Sequence, residues 1–428
     1  MGRNWLLKQG RIIDPVNDRD ETGDLLILDG CIAAPGTTPP DGVEEIDARG
    51  CWIVPGLIDM HVHLREPGEE YKEDILSGTK AAAVGGFTAV ACMPNTRPVN
   101  DCASVTARIL ERAREGSCRV YPVGAISRGC GGEALAEFGE LRAAGAVAVS
   151  DDGLPVRNSQ LMRRALEYAG DHGLTVISHS EEPSLSRGVM NEGVVSTRLG
   201  LKGIPAAAEA IMVYRDIALA EYTARAVHIA HVSTAMSVEL IRSARARGVR
   251  VSGETAPHYF TLTEEAVTGY RTNAKMNPPL RSEADRQAVR EALADGTLEV
   301  IATDHAPHSI LEKEVEFDLA ANGIIGLETA LPLSLALVRE GLLTPLQLVE
   351  RMAVAPAAIL GVEGGSLSPG KPADITLIDP ELEFEYTEAE VVSRSHNSPF
   401  LDWQLQGRAV LTMVDGRITA SRLGRESA

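Results

Sequence analysis

LIDMHVH, residues 57–63, is the first of eight short apolar stretches that decide the fold. Its apolar and β-branched composition is typical of a strand that is buried on both faces. Similar stretches follow at 87–93, 119–125, 146–150, 174–179, 226–231, 249–254 and 299–304. Segments with helical spacing lie between most of them, at 101–115, 133–144, 158–172, 234–247 and 283–293. Eight such units predict an α/β fold, a (β/α)8 TIM-type barrel, with a doubly wound open sheet as the weaker alternative.

The two ends of the chain differ in texture from this central part. Short strand-like stretches separated by turn residues occur at 5–9, 25–28, 51–54, 375–378 and 409–414. Because domain termini usually lie close together, we predict that both ends build one small β-sandwich domain. The Gly-, Ser- and Pro-rich stretch 361–372 is suited to a boundary. The predicted parts are therefore 1–55 and 363–428 for the small domain, and 56–362 for the barrel.

Charge and composition narrow the function classes. The 428 residues include 41 Lys and Arg against 60 Asp and Glu, a formal net charge of −19. This argues against a nucleic-acid partner, which requires a basic face. No stretch approaches 18 consecutive apolar residues, and the start lacks the apolar core of a signal peptide, so we expect a cytoplasmic protein without a membrane partner. The six cysteines contain no CxxC pair and are interpreted as reduced thiols.

Polar residues end several of the predicted strands, where a barrel places its functional groups. The first strand ends in His61 and His63, the fifth in His179, the sixth in His231 and the eighth in Asp304. Alternation along a strand puts residues 61 and 63 on one face. A single histidine or aspartate at a strand end more often has a structural role than a metal-binding one. Together, however, these five residues predict a transition-metal site with nitrogen and oxygen ligands.

The remaining histidines do not fit this geometry equally well. We interpret His172, His228 and His396 as structural residues. His258 and His305 lie nearer the predicted barrel mouth, and neither is assigned a role.

Nine motifs, in this order, resemble the dihydroorotase family, and within it the long bacterial form of the amidohydrolase superfamily. They are DMHVHLREPG (59–68), CMPNT (92–96), SDDG (150–153), SHSEE (178–182), HVST (231–234), GETAPHY (253–259), KMNPPLR (275–281), ATDHAPH (302–308) and GLETALPL (326–333). The resemblance implies reversible cyclisation of N-carbamoyl-L-aspartate to (S)-dihydroorotate plus water, in de novo pyrimidine biosynthesis.

The resemblance also implies a metal centre. Two divalent ions, usually zinc, would lie in the barrel mouth with a bridging hydroxide as the nucleophile. His61, His63 and Asp304 would hold the first ion, and His179 and His231 the second. Asp304 would also act as the catalytic general base and acid.

The ligand that bridges the ions separates the subfamilies. The resemblance implies that hydantoinases, allantoinases and many dihydroorotases use a carboxylated lysine at the end of the fourth strand as this ligand. This chain has no lysine between Lys80 and Lys202. Its fourth strand ends in SDDG, as in the long bacterial dihydroorotases that bridge with an aspartate. From the family spacing we choose Asp152, with Asp151 as the alternative; the one that is not a ligand belongs to a turn. The stretch 152–159 is a candidate lid.

A carboxylate substrate needs local cations in so acidic a protein. Arg65 lies two residues beyond His63, and its guanidinium group can bind a carboxylate through two parallel hydrogen bonds. The alternative is that Arg65 forms a surface salt bridge. The resemblance adds other pocket residues, of which Asn95 could instead be a turn cap. The full predicted set of substrate contacts is His63, Arg65, Asn95, Asn277, His308, Asn322 and Gly323. The chain has Ala321-Asn322 where the family usually has Pro-Phe, which predicts a more polar pocket wall.

Two other functions stay open. The chain could act on another cyclic ureide, as hydantoinases and allantoinases do. Some family members have lost their metal ligands and serve as structural partners of aspartate carbamoyltransferase, but all five non-bridging ligands are present here. The resemblance implies possible association with that transferase, and we also expect a homo-oligomer.

Overall fold

The structure is a computed structural model that describes residues 4–423, and its strands form two large sheets and one small pair. The strands are β1 (Trp5–Asp14), β2 (Arg19–Leu28), β3 (Cys31–Ile32), β4 (Glu44–Asp47), β5 (Trp52–Pro55), β6 (Leu57–Val62), β7 (Phe87–Cys92), β8 (Arg119–Gly124), β9 (Ala148–Val149), β10 (Thr175–Ser178), β11 (Met190–Asn191), β12 (Gly203–Ile204), β13 (Val227–Ile229), β14 (Val251–Thr255), β15 (Val300–Ile301), β16 (Ile375–Tyr386), β17 (Trp403–Val414) and β18 (Arg417–Ser421).

The helices lie mainly between the strands of the second sheet. They are α1 (Ile75–Gly85), α2 (Ala103–Ala113), α3 (Phe138–Ala144), α4 (Ser159–Asp171), α5 (Val194–Leu199), α6 (Ala207–Thr223), α7 (Ala235–Ala246), α8 (Pro257–Thr261), α9 (Glu283–Asp295), α10 (Ile310–Lys313), α11 (Ala330–Arg339), α12 (Pro345–Val349) and α13 (Ala355–Leu360). Within residues 4–423, none of them is both long and apolar enough to cross a membrane.

The central sheet contains eight parallel strands in the order β6-β7-β8-β9-β10-β13-β14-β15. Its two edges meet at a parallel bridge between Val62 and His305, where the His63 amide donates to the His305 carbonyl at 2.8 Å. A second bridge joins His305 to Ile324. The sheet is therefore a nearly closed barrel, and the predicted (β/α)8 fold is confirmed.

Local sequence explains where the helices around the barrel begin. Asp74 caps α1 by accepting from the Ser77 amide at 2.7 Å, and Thr234 caps α7 in the same way. Such caps satisfy amides that the first helical turn leaves free. The helix predicted over 133–144 is shorter than expected, because it begins only at Phe138. Gly129 and Gly132 adopt positive φ angles before it, which a continuous helix does not allow.

The second large sheet contains strands from both ends of the chain, in the order β18-β17-β16-β5-β1-β2-β3, with β4 beside β1. β5 and β16 pair antiparallel, with Ile53 opposite Leu377. These two residues belong to a separate apolar core with Leu7, Ile12 and Met413. The predicted β domain built from both termini is confirmed, whereas its boundaries at 55 and 363 stay predictions.

Residues 391–400 leave this β domain and lie against the barrel; we call them the return segment. Glu328 accepts hydrogen bonds from the amides of Val392 and Ser393 at 3.0–3.1 Å. Asn397 donates to the carbonyls of Ala306 and Gly323 at 3.0 and 3.1 Å. The return segment therefore supports the loops that follow the last barrel strand.

Candidate active site

The carboxyl ends of the barrel strands bring two carboxylates and two histidines together. Asp152 approaches Nε2 of His61 at 3.3 Å and Nε2 of His63 at 3.4 Å. Asp304 Oδ1 lies 3.2 Å from Nε2 of His63 and 3.5 Å from Nε2 of His61. All four residues are buried. The set of His61, His63 and Asp304 has the spacing of a metal site.

The other two predicted histidines lie on the far side of Asp152. Nε2 of His231 is 3.6 Å from Asp152 Oδ1, and Nδ1 of His179 is 3.7 Å from the same atom. The two imidazoles approach each other at 2.8 Å, between Nδ1 of His179 and Nε2 of His231. His61, Asp152 and His231 form a second set with the spacing of a metal site. Asp152 thus lies among all four histidines.

The cluster fits a divalent metal ion. Nε2 of His61 and Oδ1 of Asp152 are buried without a hydrogen-bond partner. Unsatisfied buried polar atoms are costly, and a cation between them would remove that cost. Imidazole nitrogens with carboxylate oxygens are a ligand set that zinc and similar ions accept. These observations support a divalent metal at the cluster.

The two neighbouring aspartates face different ways. Asp151 accepts from the Ser127 amide at 3.0 Å and from the Ser127 hydroxyl. Successive residues at the end of a strand point to opposite faces, so only Asp152 faces the histidines. Asp151 instead fixes the loop around Ser127, as expected for the aspartate of a turn.

Three site residues have left-handed backbone conformations, which are uncommon outside glycine. The φ angle is 35° at His231, 50° at Asp304 and 60° at Arg65. Such outliers cost free energy and persist where the surrounding structure enforces them, often at functional sites. All three positions follow closely after barrel strands, at the barrel mouth.

A buried carboxylate below the cluster was missed by the sequence analysis. Glu254 accepts from Nδ1 of His61 at 2.5 Å, and it lies 3.2 Å from Nε2 of His228. Burial opposes its ionisation, but the charge of His61 and the hydrogen bonds lower its pKa well below the usual range. Glu254 thereby leaves Nε2 of His61 free to bind a metal. Glu254 lies near the end of β14, and Asp304 lies just beyond the end of β15. This shared position at a strand end was the sequence signal that could have identified Glu254.

Asp59 supports the same histidine through the main chain. Its Oδ1 accepts from the amides of His61 and Thr303, each at 3.1 Å. Burial raises the pKa of Asp59 to about 7. It therefore ties the end of β6 to the end of β15.

The charges within the cluster are strongly coupled. Burial works against the charged forms, but the histidines hold the pKa of Asp152 well below its usual range. Hydrogen bonding from His63 lowers the pKa of Asp304 in the same way, against its burial. Burial of His179 is likewise outweighed by Asp152 and Glu181, which raise its pKa to about 10. The cluster therefore keeps both aspartates ionised and able to bind a cation.

A cavity of about 210 Å³ opens beside the cluster. Its walls include every predicted substrate contact: His63, Arg65, Asn95, Asn277, His308, Asn322 and Gly323. Asp152, His179, His231 and Asp304 also line it. The structure thus brings the predicted metal ligands and substrate contacts to one opening, although their roles stay predictions.

Arg65 and His308 form a polar wall of this cavity. Arg65 is buried, donates from Nε to the Pro307 carbonyl at 3.1 Å and places Nη2 3.3 Å from Nε2 of His308. His308 donates from Nε2 to the Asn322 carbonyl at 2.8 Å. Burial and the charge of Arg65 lower the pKa of His308 to about 3, so the ring is neutral. Asn322 therefore contributes its main-chain carbonyl to this wall, and the residue is otherwise exposed.

Asn95 and Gly323 complete the pocket in different ways. Asn95 Oδ1 accepts from Nδ1 of His63 at 2.9 Å, which orients the ring and leaves the amide Nδ2 for a ligand. Gly323 has a φ of +124°, and a Cβ there would lie 2.6 Å from the Cβ of Ala306. A side chain at 323 would therefore clash with Ala306.

The histidines without an assigned role have distinct settings. Burial lowers the pKa of His258 to about 4. His305 accepts from the Gly326 amide at 3.1 Å and lies 3.5 Å from Glu73. His228 is hydrogen-bonded between Ser252 and Glu254. The stretch after Asp152 is exposed at Gly153 and Leu154, and its motion as a lid stays a prediction.

Comparison with known proteins shows which family this chain is similar to. A family model described as "Dihydro-orotase-like" matches residues 50–237. The dihydroorotase of Desulfotalea psychrophila is 64% identical over 96% of this chain and 98% of its own length. That of Pelobacter propionicus is 59% identical over 98% of this chain and 100% of its own.

Solved structures share the fold at lower identity. The L-hydantoinase of Arthrobacter aurescens has a TM-score of 0.88 and 25% identity, covering 100% of this chain and 98% of its own. The dihydropyrimidinase of Brevibacillus agri has a TM-score of 0.84 and 23% identity, covering 98% and 95%. The sequence relatives are far closer than these structures and extend over nearly the whole length. The chain therefore belongs to the dihydroorotase family.

Proposed function

We propose that this protein is a dihydroorotase, which interconverts N-carbamoyl-L-aspartate and (S)-dihydroorotate plus water in pyrimidine biosynthesis. The observation that carries the proposal is the single cavity lined by Asp152, Asp304 and three histidines on one side and by Arg65 on the other. The groups proposed for hydrolysis and for anion binding thus line one space. Relatives 57–64% identical over nearly the full chain carry the name dihydroorotase.

The proposed ligands divide between two ions, which we take to be Zn²⁺. His61, His63 and Asp304 would hold one, His179 and His231 the other, and Asp152 would contact both. When bound, such ions lower the pKa of coordinated water from about 15.7 towards 7 and polarise a carbonyl. Imidazoles that lose their proton when the ions bind would leave most of the cationic charge available for this purpose.

Asp304 is the proposed catalytic base and acid. Its Oδ1 faces His63, and the residue lines the cavity. Because its pKa lies below the usual value, Asp304 is a carboxylate at neutral pH, and this is the form that can accept a proton from the attacking water. In ring opening it returns this proton to the leaving ring nitrogen, and in ring closure the two transfers reverse.

The opposite wall would bind the substrate. Arg65 and Asn95 would bind the substrate carboxylate, since a guanidinium supplies a two-pronged donor. The neutral His308 ring, which donates its Nε2 proton to the Asn322 carbonyl, would line the same pocket beside Arg65. Asn277 and the main chain at 322–323 would contact the amide groups of the ring. The buried, unpartnered Oδ1 of Asn277 is suited to accept from a ring N–H.

The test is steady-state turnover of dihydroorotate by metal-replete protein. We expect turnover in the wild type. In Arg65→Ala the KM should rise about tenfold or more, because charge-assisted hydrogen bonds contribute roughly 1.5–3 kcal/mol. Arg163→Ala is the matched control, since this half-exposed arginine pairs with Glu167 on α4. Absence of wild-type turnover would refute the proposal; an unchanged KM in Arg65→Ala would refute the assignment of Arg65.

A second candidate is another cyclic amidohydrolase. The likeness to L-hydantoinase, at a TM-score of 0.88, is the observation that favours it. The absence of lysine between Lys80 and Lys202 argues against it, because the carboxylated lysine of those enzymes has no counterpart at the fourth strand. A panel of dihydroorotate, hydantoin and allantoin decides between them: preference for either of the last two would favour the second candidate.

The proposal extends to the location of the protein in the cell and to its partners. We infer a cytoplasmic homo-oligomer that can associate with aspartate carbamoyltransferase, which would supply carbamoyl aspartate. Light scattering of the protein alone, and then with the transferase from the same cell, tests both points. A non-catalytic partner role would instead be favoured by fewer than one ion per chain after purification with zinc.

A further inference from the structure

Lys313 carries a buried ammonium group behind the wall of the substrate cavity. It is the last residue of α10 and is only 3% exposed. In the described part of the chain no carboxylate pairs with it, and burial lowers its pKa to about 7. Burying an amine without a counter-ion costs free energy, so its position calls for an explanation.

The ammonium group joins two segments of the cavity wall. Its Nζ donates to the carbonyls of Ala321 and Gly323 at 2.8 and 3.0 Å, and to that of Lys275 at 3.3 Å. The Gly323 amide also donates to the Lys275 carbonyl at 3.0 Å. Loop 321–323 is therefore held against the segment that continues to Asn277.

The held loop in turn orients the anion-binding wall. Asn322 lies between Ala321 and Gly323, whose carbonyls Lys313 binds, and its own carbonyl accepts from Nε2 of His308 at 2.8 Å. That nitrogen lies 3.3 Å from Nη2 of Arg65. A shift of the loop would therefore move His308 relative to Arg65.

We propose that Lys313 is a positioning residue for substrate recognition, which fixes loop 321–323 and, through it, His308 and Arg65. It touches no substrate atom. This inference rests on the proposed dihydroorotase function. Lys275 offers a matched control, because its Nζ donates to the carbonyls of Phe317 and Asp318 at 2.7 and 3.0 Å. That neighbouring ammonium holds a turn that does not contact His308.

The first test is steady-state kinetics with dihydroorotate and metal-replete protein. Lys313→Met should raise KM about tenfold while kcat changes less than about threefold, because the loop positions bound substrate and not the reacting atoms. Lys275→Met should change KM less than about threefold. Equal KM values in wild type and Lys313→Met would overturn the inference. An equal rise in both variants would also overturn it, since it would indicate a general loss of positive charge.

A double-mutant cycle separates positioning from general destabilisation. If Lys313 acts through His308, the KM effects of Lys313→Met and His308→Ala should be clearly less than multiplicative when combined. Multiplicative effects would overturn the inference. Lys313→Gln is the second variant if Lys313→Met does not fold; failure of both to fold would overturn it by showing a folding role. Lack of turnover in the wild type would refute the proposed function itself, whatever the variants do.

Discussion

The two sides of the barrel mouth are constructed differently. On one side, the six candidate metal ligands lie at or just beyond the ends of buried strands. On the other side, the candidate substrate contacts lie largely on loops, which Asn397 holds from a distant part of the sequence and Lys313 from the neighbouring helix α10. Strand geometry positions the first group locally, whereas the second depends on long-range hydrogen bonds. The comparison predicts that damage to each side has a distinct kinetic signature.

The largest effect is expected on the metal side. Asp304→Ala removes both a candidate ligand and the candidate proton carrier, so kcat should fall by at least about 10³-fold. Steady-state turnover of dihydroorotate, with metal content measured on the same sample, checks this. A rate equal to that of wild type would refute the role of Asp304.

The next effect concerns the carboxylate below the cluster. Glu254→Gln should weaken metal affinity about 10–100-fold, because it removes the charged acceptor that orients His61. Competition with a chelator measures this without reference to activity. Glu73→Gln is the control: Glu73 is also buried and lies beside a histidine, but that histidine, His305, is not a candidate metal ligand. Equal metal loss in both variants would erase the distinction between the two sides.

A smaller effect is expected on the substrate side. Asn397→Ala removes the donor to the Ala306 and Gly323 carbonyls and the acceptor for the His308 amide. We expect KM for dihydroorotate to rise about fivefold to tenfold, from about 1–1.5 kcal/mol of lost hydrogen bonding, with metal content unchanged. Ser398→Ala, next to it in the return segment, should leave KM near the wild-type value. Loss of metal in Asn397→Ala would contradict the separation.

The last effect concerns the pH dependence of stability and not activity. The pKa of His308 is lowered to about 3, so the folded state binds its proton more weakly than the unfolded state does. Stability is therefore lost as pH falls below the unfolded value of about 6.5, by roughly 2 kcal/mol at pH 5 from this residue.

His308→Gln should remove that part of the acid sensitivity. Urea unfolding of metal-loaded protein at pH 8 and pH 5 measures it, as the difference in the loss between wild type and variant. An identical loss of stability in the two proteins would show that His308 is not held neutral by burial.

The metal side of the barrel mouth could be predicted from the sequence better than the substrate side. The strand ends identified His61, His63, His179, His231 and Asp304, because a barrel fixes where strand ends lie. The family spacing favoured Asp152 over Asp151, and the structure adds a physical reason, because Asp151 is bound by Ser127 whereas Asp152 faces the histidines.

The rest depends on contacts that no local pattern encodes. Glu254 sits at a strand end like the ligands, but only the structure shows that it is below His61. Lys313 and Asn397 act on residues up to 91 positions away, through main-chain carbonyls that carry no sequence signal. The return segment was assigned to the small β domain, and its packing on the barrel required three-dimensional information.

Metal titration of the stripped protein tests the central claim most directly. Protein freed of metal with a chelator should not turn over dihydroorotate, and activity should return with added Zn²⁺, reaching a plateau near two ions per chain. Turnover that persists in the stripped protein, or that is absent at saturating Zn²⁺, would contradict the account.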